Sequence, residues 1–172
     1  MEKLGFFGGC FNPVTKAHID LIRDVIKKEN LSKVYFVPMG DFYCKNNLIP
    51  VNHRIAMLKL AIKNEKKMDI LHISNKDSKT RAIDSFKLIE EKFKNSEHFF
   101  IMGSDNYKKL PNWENSEKLI NNYKYIVLDR DKGITKDISS SIAREKIRMN
   151  ECANDLISEQ VLQYIKINNL YR

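Results

Sequence analysis

The sequence predicts an α/β fold built on a doubly wound, mostly parallel sheet, and three observations carry that prediction. Short β-rich apolar runs alternate with longer stretches of helical apolar spacing along the whole chain. The strand runs are continuously apolar rather than alternating, as strands covered on both faces require. At 172 residues and 42% hydrophobic content, the chain can bury a core without disulfides or a structural metal. No repeat, Ser/Gly linker or break in composition divides it, so one domain is expected over residues 1–172, with a small C-terminal helical part from about residue 139.

The elements follow in order. Leu4-Gly5-Phe6-Phe7 is a first buried strand stopped by Gly8-Gly9, and Ile19, Ile22, Val25 and Ile26 space out a helix running to about Lys28. Val34 to Val37 is a second strand ended by Pro38, and Ile55, Leu58 and Ile62 mark a second helix. Asp69 to Ile73 is a third strand, and Ile83, Phe86, Ile89 and Phe93 form a third helix. His98 to Met102 is a fourth strand closed by Gly103. A short helix and the loop Leu110-Pro111-Asn112-Trp113 lead to a fifth strand, Tyr125 to Leu128. Ser140–Met149 and Ser158–Ile167 close the chain as two helices. Ligands of such sheets sit outside the carboxyl ends of the strands, so the loops after Phe7, Val37, Ile73, Met102 and Leu128 carry the chemistry.

Composition excludes several classes. Aromatic content of 10% with six Gly and four Pro argues against disorder and low complexity. No apolar run approaches the ~20 residues that span a bilayer, and Met1 to Phe7 carries no signal-peptide pattern. Three scattered cysteines (Cys10, Cys44 and Cys152) form no C-x-x-C, so a reducing cytoplasm is expected. The net charge of +8 invites a nucleic-acid reading, but the lysines are spread along the chain without a run of five or six. A solvated positive surface accounts for most of it, with a small phosphate-bearing substrate as the expected partner and neither nucleic acid nor membrane.

Two constellations suit phosphate. The loop Gly8-Gly9-Cys10-Phe11-Asn12-Pro13-Val14-Thr15-Lys16-Ala17-His18 places two glycines after a strand, and Thr15 and His18 at a helix start. A hydroxyl, an imidazole and free N–H groups at a helix N-terminus fit an anion; Thr15 as a plain N-cap fits equally well. Ile138-Ser139-Ser140-Ser141-Ile142-Ala143-Arg144 opens a second helix with good caps. Arg144 opposes the helix dipole in that first turn, a placement a bound anion would neutralise. Neither loop matches a P-loop or a dinucleotide fingerprint.

Together GGCFNPVTKAH and ISSSIAR resemble the paired (H/T)-x-G-H and I-S-S-T/S-x-x-R signatures of the nucleotidylyltransferase superfamily, which implies its Rossmann-like fold. The middle of the chain is similar to bacterial nicotinate-nucleotide adenylyltransferases. The similarity runs through Phe36-Val37-Pro38, Lys45, Asn52-His53-Arg54 to Leu58, Arg81-Ala82-Ile83-Asp84-Ser85, Ile101-Met102-Gly103-Ser104-Asp105 and Leu110 to Trp113. It implies adenylyl transfer from ATP to nicotinate mononucleotide in NAD synthesis. His18, Thr15, Lys45 and Arg144 would be catalytic. Gly8, Gly9, Cys10, Phe11, Gly103, Asp105, Ser139, Ser140 and Ser141 would hold ATP, and Arg54, Ala82, Asp84 and Trp113 the acceptor. His18 would meet the α-phosphate, Thr15 would hold a phosphate oxygen, and Asp105 would bind the ribose. Trp113 would lie against the pyridine ring, a place that the preceding Leu-Pro-Asn favours by its loop character, with plain core packing as the alternative. For Arg54 and Asp84, helix capping or a surface ion pair stands beside substrate contact. Mg²⁺ would arrive on the ATP phosphates, since no metal-ligand cluster is visible in the sequence.

The sequence departs from the family at several places. Thr15 replaces the usual first His, as in phosphopantetheine adenylyltransferases, and Ala17 replaces a Gly. Phe42-Tyr43-Cys44 replaces Pro-Pro-His before Lys45, Ala82 replaces a Thr, and the segment before Ile138 is short. Phosphopantetheine or nicotinamide mononucleotide as acceptor, or a nucleotide-binding regulator without turnover, are the alternatives. The sequence sets no oligomeric state.

Overall fold

A computed structural model describes residues 1–41, 48–73, 81–128 and 140–172. Five strands form one sheet: β1 (Glu2–Gly9), β2 (Lys33–Pro38), β3 (Met68–Ile70), β4 (Ser96–Gly103) and β5 (Lys124–Leu128). Their order is β3-β2-β1-β4-β5, and every neighbouring pair is parallel. The helices are α1 (Lys16–Lys28), α2 (Val51–Ala61), α3 (Ala82–Lys92), α4 (Ser104–Lys109), α5 (Ser116–Asn122), α6 (Ser140–Arg148) and α7 (Glu159–Ile167). A single 3₁₀ turn at Leu110–Asn112 follows α4. The chain winds outward from β1 to β3, then returns to β4 on the other side of β1. The switch point, where such folds bind ligands, therefore lies at the carboxyl ends of β1 and β4.

Alternation along the central strands sends side chains to both faces. On one face Phe7, Val34, Phe36 and Ile101 pack with Ile19, Ile22, Val25 and Ile26 of α1, Met57 and Leu58 of α2, Ala143 of α6, and Val161 and Ile165 of α7. On the other, Leu4, Phe6 and Phe100 pack with Ile89 of α3. Gly5 sits where α1 comes back to the sheet; a Cβ there would lie 2.8 Å from Ile101 and 2.9 Å from Leu31 and Val34. Close packing, not backbone freedom, holds that glycine.

Three elements differ from the sequence reading. The first strand does not stop before Gly8-Gly9 but runs through them, pairing Gly8 with Val37 and Gly9 with Pro38. The third strand is Met68–Ile70 rather than Asp69 to Ile73, because it is an edge strand that β2 pairs over only Val34, Tyr35 and Phe36. The helix α5 had no signal: in seven residues it buries only Leu119, too little to show a period. Among the described residues no helix is long and apolar enough to cross a membrane.

Candidate active site

The β1–α1 junction is built around His18. Thr15 is the N-cap of α1 and His18 its third helical residue, a capping-box arrangement with His in the place usual for Glu or Gln. The Thr15 N–H donates to His18 Nδ1 at 3.0 Å, and Thr15 Oγ1 lies 2.7 Å from the same nitrogen. A backbone N–H can only donate, so Nδ1 presents its lone pair and a neutral ring carries its proton on Nε2. The ring is held edge-on to Phe11 at 5.5 Å between centroids and tilted against Phe7 at 6.2 Å.

These contacts revise three expectations. The Thr15 hydroxyl, expected on a phosphate oxygen, is buried with only 2% of the residue exposed and sits against His18. Phe11, expected against ATP, is a core ring between Phe7 and Phe36, with its backbone in the left-handed region at φ 49°. Gly9 is explained by that ring, which a Cβ would meet at 2.9 Å, whereas a Cβ on Gly8 would face open space. Of the two glycines, only Gly8 leaves room for close approach of a ligand.

The second motif, from the far end of the sequence, lands on this same loop. Arg144 Nη1 donates to the Asn12 carbonyl at 2.7 Å, and Nη2 donates to Ser141 Oγ at 3.1 Å. Ser140 Oγ donates to the Pro13 carbonyl at 2.8 Å. Lys16 ties the other side, through its N–H to the Leu156 carbonyl at 2.8 Å and its Nζ to the Asn154 carbonyl at 2.6 Å. The N-termini of α1 and α6 are thus fastened to opposite ends of a few residues, with half-buried His18 and Arg144 beside them. Two helix N-termini, an Nε2–H and a guanidinium form a site suited to a polyphosphate.

Asn12 is the hub of this junction, and the sequence reading gave it no role. Its Oδ1 accepts from the Tyr171 hydroxyl at 2.8 Å and from the Ile49 N–H at 3.4 Å. Burial pushes the Tyr171 hydroxyl pKa well up, and nearby Arg144 and Arg54 oppose this only in part, so it donates throughout the physiological range. Tyr171 could not be found by periodicity, because it lies past the last helix and its partner is 159 residues away. Arg54 is a correction. Expected at the acceptor or in a surface ion pair, it is 0% exposed and bonds the Cys10 carbonyl, the Ile49 carbonyl and the Asp41 carboxylate. A side chain with no exposure touches no substrate.

The opposite lip of the crevice is different in kind. Gly103 ends β4, the strand that pairs with β1, and Asp105 stands exposed in the first turn of α4. Ala82 opens α3, half-buried. Asp84 is engaged by Arg81 at 2.8 and 3.4 Å, and Arg81 also donates to Glu114 at 2.9 Å. For Asp84 the ion-pair alternative is the one observed. Trp113 is half-buried against the small cluster of Ile83, Leu110 and Leu119. It shares in the core while Pro111 and Asn112 beside it are exposed. Cys10 and Cys152 are free thiols. Lys45, Ser139 and the Phe42-Tyr43-Cys44 segment lie outside the described residues.

A doubly wound sheet with two helix N-termini brought together at its switch point, an arrangement suited to phosphate, is the architecture of a nucleotide-handling α/β protein. The comparisons agree: a model of the cytidylyltransferase-like family matches residues 6–146. A Bacillus licheniformis protein named "Probable nicotinate-nucleotide adenylyltransferase" is 30% identical, covering 99% of each chain. The Bacillus subtilis nicotinate-nucleotide adenylyltransferase is 27% identical over the same shares. A Plasmodium falciparum nicotinic acid mononucleotide adenylyltransferase, solved in complex with NaAD, superposes with a TM-score of 0.81 at 23% identity, covering 99% of this chain and 98% of that one. The chain belongs to the cytidylyltransferase-like family and, within it, to the nicotinate-nucleotide adenylyltransferases.

Proposed function

We infer that this protein transfers the adenylyl group of ATP to nicotinate mononucleotide, forming nicotinate adenine dinucleotide and pyrophosphate, a step of NAD biosynthesis. The observation that carries this reading is the meeting of the two motifs, with Arg144 on the Asn12 carbonyl at 2.7 Å and Ser140 on the Pro13 carbonyl at 2.8 Å. That contact brings two cationic or donor-rich helix starts to one switch point. Full-length similarity to nicotinate-nucleotide adenylyltransferases supports the acceptor.

An acceptor phosphate oxygen attacks the α-phosphorus; the new P–O bond forms as the bond to the β-phosphate breaks, and pyrophosphate leaves. The nucleophile is already anionic, so no base is required and catalysis is alignment plus charge stabilisation. His18 donates from Nε2 toward the α-phosphate, with Thr15 fixing its tautomer. Arg144, with the α6 start at Ser139 to Ser141, holds the β- and γ-phosphates, and Lys45 supplies a further cation. The β1–α1 backbone at Gly8 to Phe11, Gly103 and Asp105 hold the rest of ATP; Ala82 and Trp113 line the acceptor. Mg²⁺ enters as Mg-ATP, carried by the triphosphate. Among the described residues no three His, Cys, Asp or Glu side chains group to hold a metal themselves.

The test supplies purified protein with Mg-ATP and, separately, nicotinate mononucleotide, nicotinamide mononucleotide and phosphopantetheine, and measures pyrophosphate release and product mass. Preference for nicotinate mononucleotide is the expected result. Preference for another acceptor overturns the substrate; nucleotide binding without release overturns the activity.

A further inference from the structure

Among the described residues Arg54 is the only charged side chain that is fully buried. Burying a guanidinium costs desolvation free energy that an apolar residue of similar volume would not incur, so packing alone does not account for it. A guanidinium does offer several donors in one rigid plane. Here each nitrogen serves a different part of the chain: Nε the Ile49 carbonyl, Nη1 the Cys10 carbonyl and Nη2 the Asp41 carboxylate, all at 2.9 Å.

The placement of these partners is informative. Cys10 is in the β1–α1 loop, two residues before the Asn12 hub. Asp41 and Ile49 flank Lys45 on either side in the sequence. Ile49 is bonded a second time to the same loop through its N–H to Asn12 Oδ1 at 3.4 Å. Drawing the Cys10 carbonyl toward Arg54 also fixes a peptide plane. In a planar trans peptide the Phe11 N–H must point the opposite way, away from the guanidinium. Phe11, left-handed at φ 49°, is the residue whose ring supports His18.

We propose that Arg54 is a positioning residue for adenylyl transfer: it sets the Cys10–Asn12 backbone that faces the ATP phosphates and fastens to it the residues that flank Lys45. It touches neither substrate. The inference rests on the reading of this loop as the phosphate site.

The test compares R54K and D41N with the unaltered protein. Steady-state kinetics vary ATP and nicotinate mononucleotide separately, calorimetry titrates Mg-ATP without acceptor, and thermal unfolding is followed by circular dichroism. The Asp41 side chain is 51% exposed and Asn keeps an accepting oxygen for Arg54, so D41N is the milder of the two changes to the fold. The expected result for D41N is an unchanged fold, Mg-ATP binding and kcat/KM for ATP lower by about 3- to 10-fold, and an unchanged acceptor KM. R54K, which keeps the charge but not the three-way geometry, is expected to lose up to ~10²-fold in kcat, the scale of a misplacement of about 1 Å. Lowered unfolding temperature with unchanged ATP kinetics and binding would reduce Arg54 to a structural residue, and a change confined to acceptor KM would place it on the wrong substrate. If the unaltered protein does not turn over nicotinate mononucleotide, the proposed function fails; the Mg-ATP titration of D41N still decides the inference.

Discussion

The two lips of the crevice are held together by different physics. On the β1–α1 side, charged or hydroxyl donors reach backbone carbonyls and one buried amide: Arg54 to Cys10, Arg144 to Asn12, Ser140 to Pro13, and Tyr171 to Asn12. On the α3 side, Arg81 links Asp84 and Glu114, with side-chain exposures of 52%, 36% and 65%. Charge-assisted bonds to sheltered carbonyls are strong and weakly screened, and they fix backbone position. Exposed ion pairs contribute ~0–1 kcal/mol, weaken with salt and fix little. On the proposed function the first lip meets the ATP phosphates and the second meets the acceptor, so changes at the first should act on the transfer step and changes at the second on acceptor binding.

Substitutions at four positions test this difference, and the greatest loss is expected at His18. His18→Ala should lower kcat by roughly 10²- to 10³-fold, the scale of a lost transition-state donor, with little change in unfolding temperature. A near-normal rate of pyrophosphate release would remove His18 from the site. Thr15→Val keeps shape but loses the hydroxyl beside Nδ1; about 1 kcal/mol of stability should go with the cap, and kcat should fall by about 10-fold on the scale of general catalytic positioning. Thr15→Ser should restore both, and failure of that rescue would show that the hydroxyl is not what orients the ring.

The opposite lip should respond in KM rather than kcat. Trp113→Ala is expected to raise the acceptor KM by about 10-fold, in line with a lost stacking contact of ~1–1.5 kcal/mol, while ATP KM holds. An unchanged acceptor KM with a lowered unfolding temperature would assign Trp113 wholly to the core. The smallest effect belongs to Arg81→Met, expected to leave kcat unchanged and to shift the denaturation midpoint only slightly, a shift that vanishes at 1 M salt. A larger, salt-independent loss would show that the α3 lip is as firmly built as the other.

Much of this was legible in the sequence because the signals were local. The strand runs Leu4 to Phe7 and Val34 to Val37 are apolar stretches closed by Gly or Pro, and each became a central strand. The i, i+3, i+4 spacing of Ile19, Ile22, Val25 and Ile26 became the buried stripe of α1. Edge and short elements leave weaker local signals: β3 is shorter than its apolar run because pairing with β2, not composition, ends it. The spacing of Thr15 and His18 and the misfit of Arg144 with the helix dipole single these residues out, and the structure brings all three to one junction. Arg54, Phe11 and Asn12 were misjudged or overlooked for one reason. Burial and partner are set by segments far apart in the chain, and a motif does not say which way a side chain faces.

A doubly wound α/β chain with two phosphate-suited helix starts follows from local signals, because apolar periodicity, turn residues and caps act within a few residues of one another. Few of the cations behind the +8 charge fall within those two motifs. That the two motifs share one loop, and that the Thr15 hydroxyl lies against His18, depends on how the whole chain packs. The same packing puts Arg54 under the loop and not at the acceptor. Those outcomes depend on which donors find unpaired carbonyls once the chain is packed, and desolvation makes that pairing obligatory only in the folded protein.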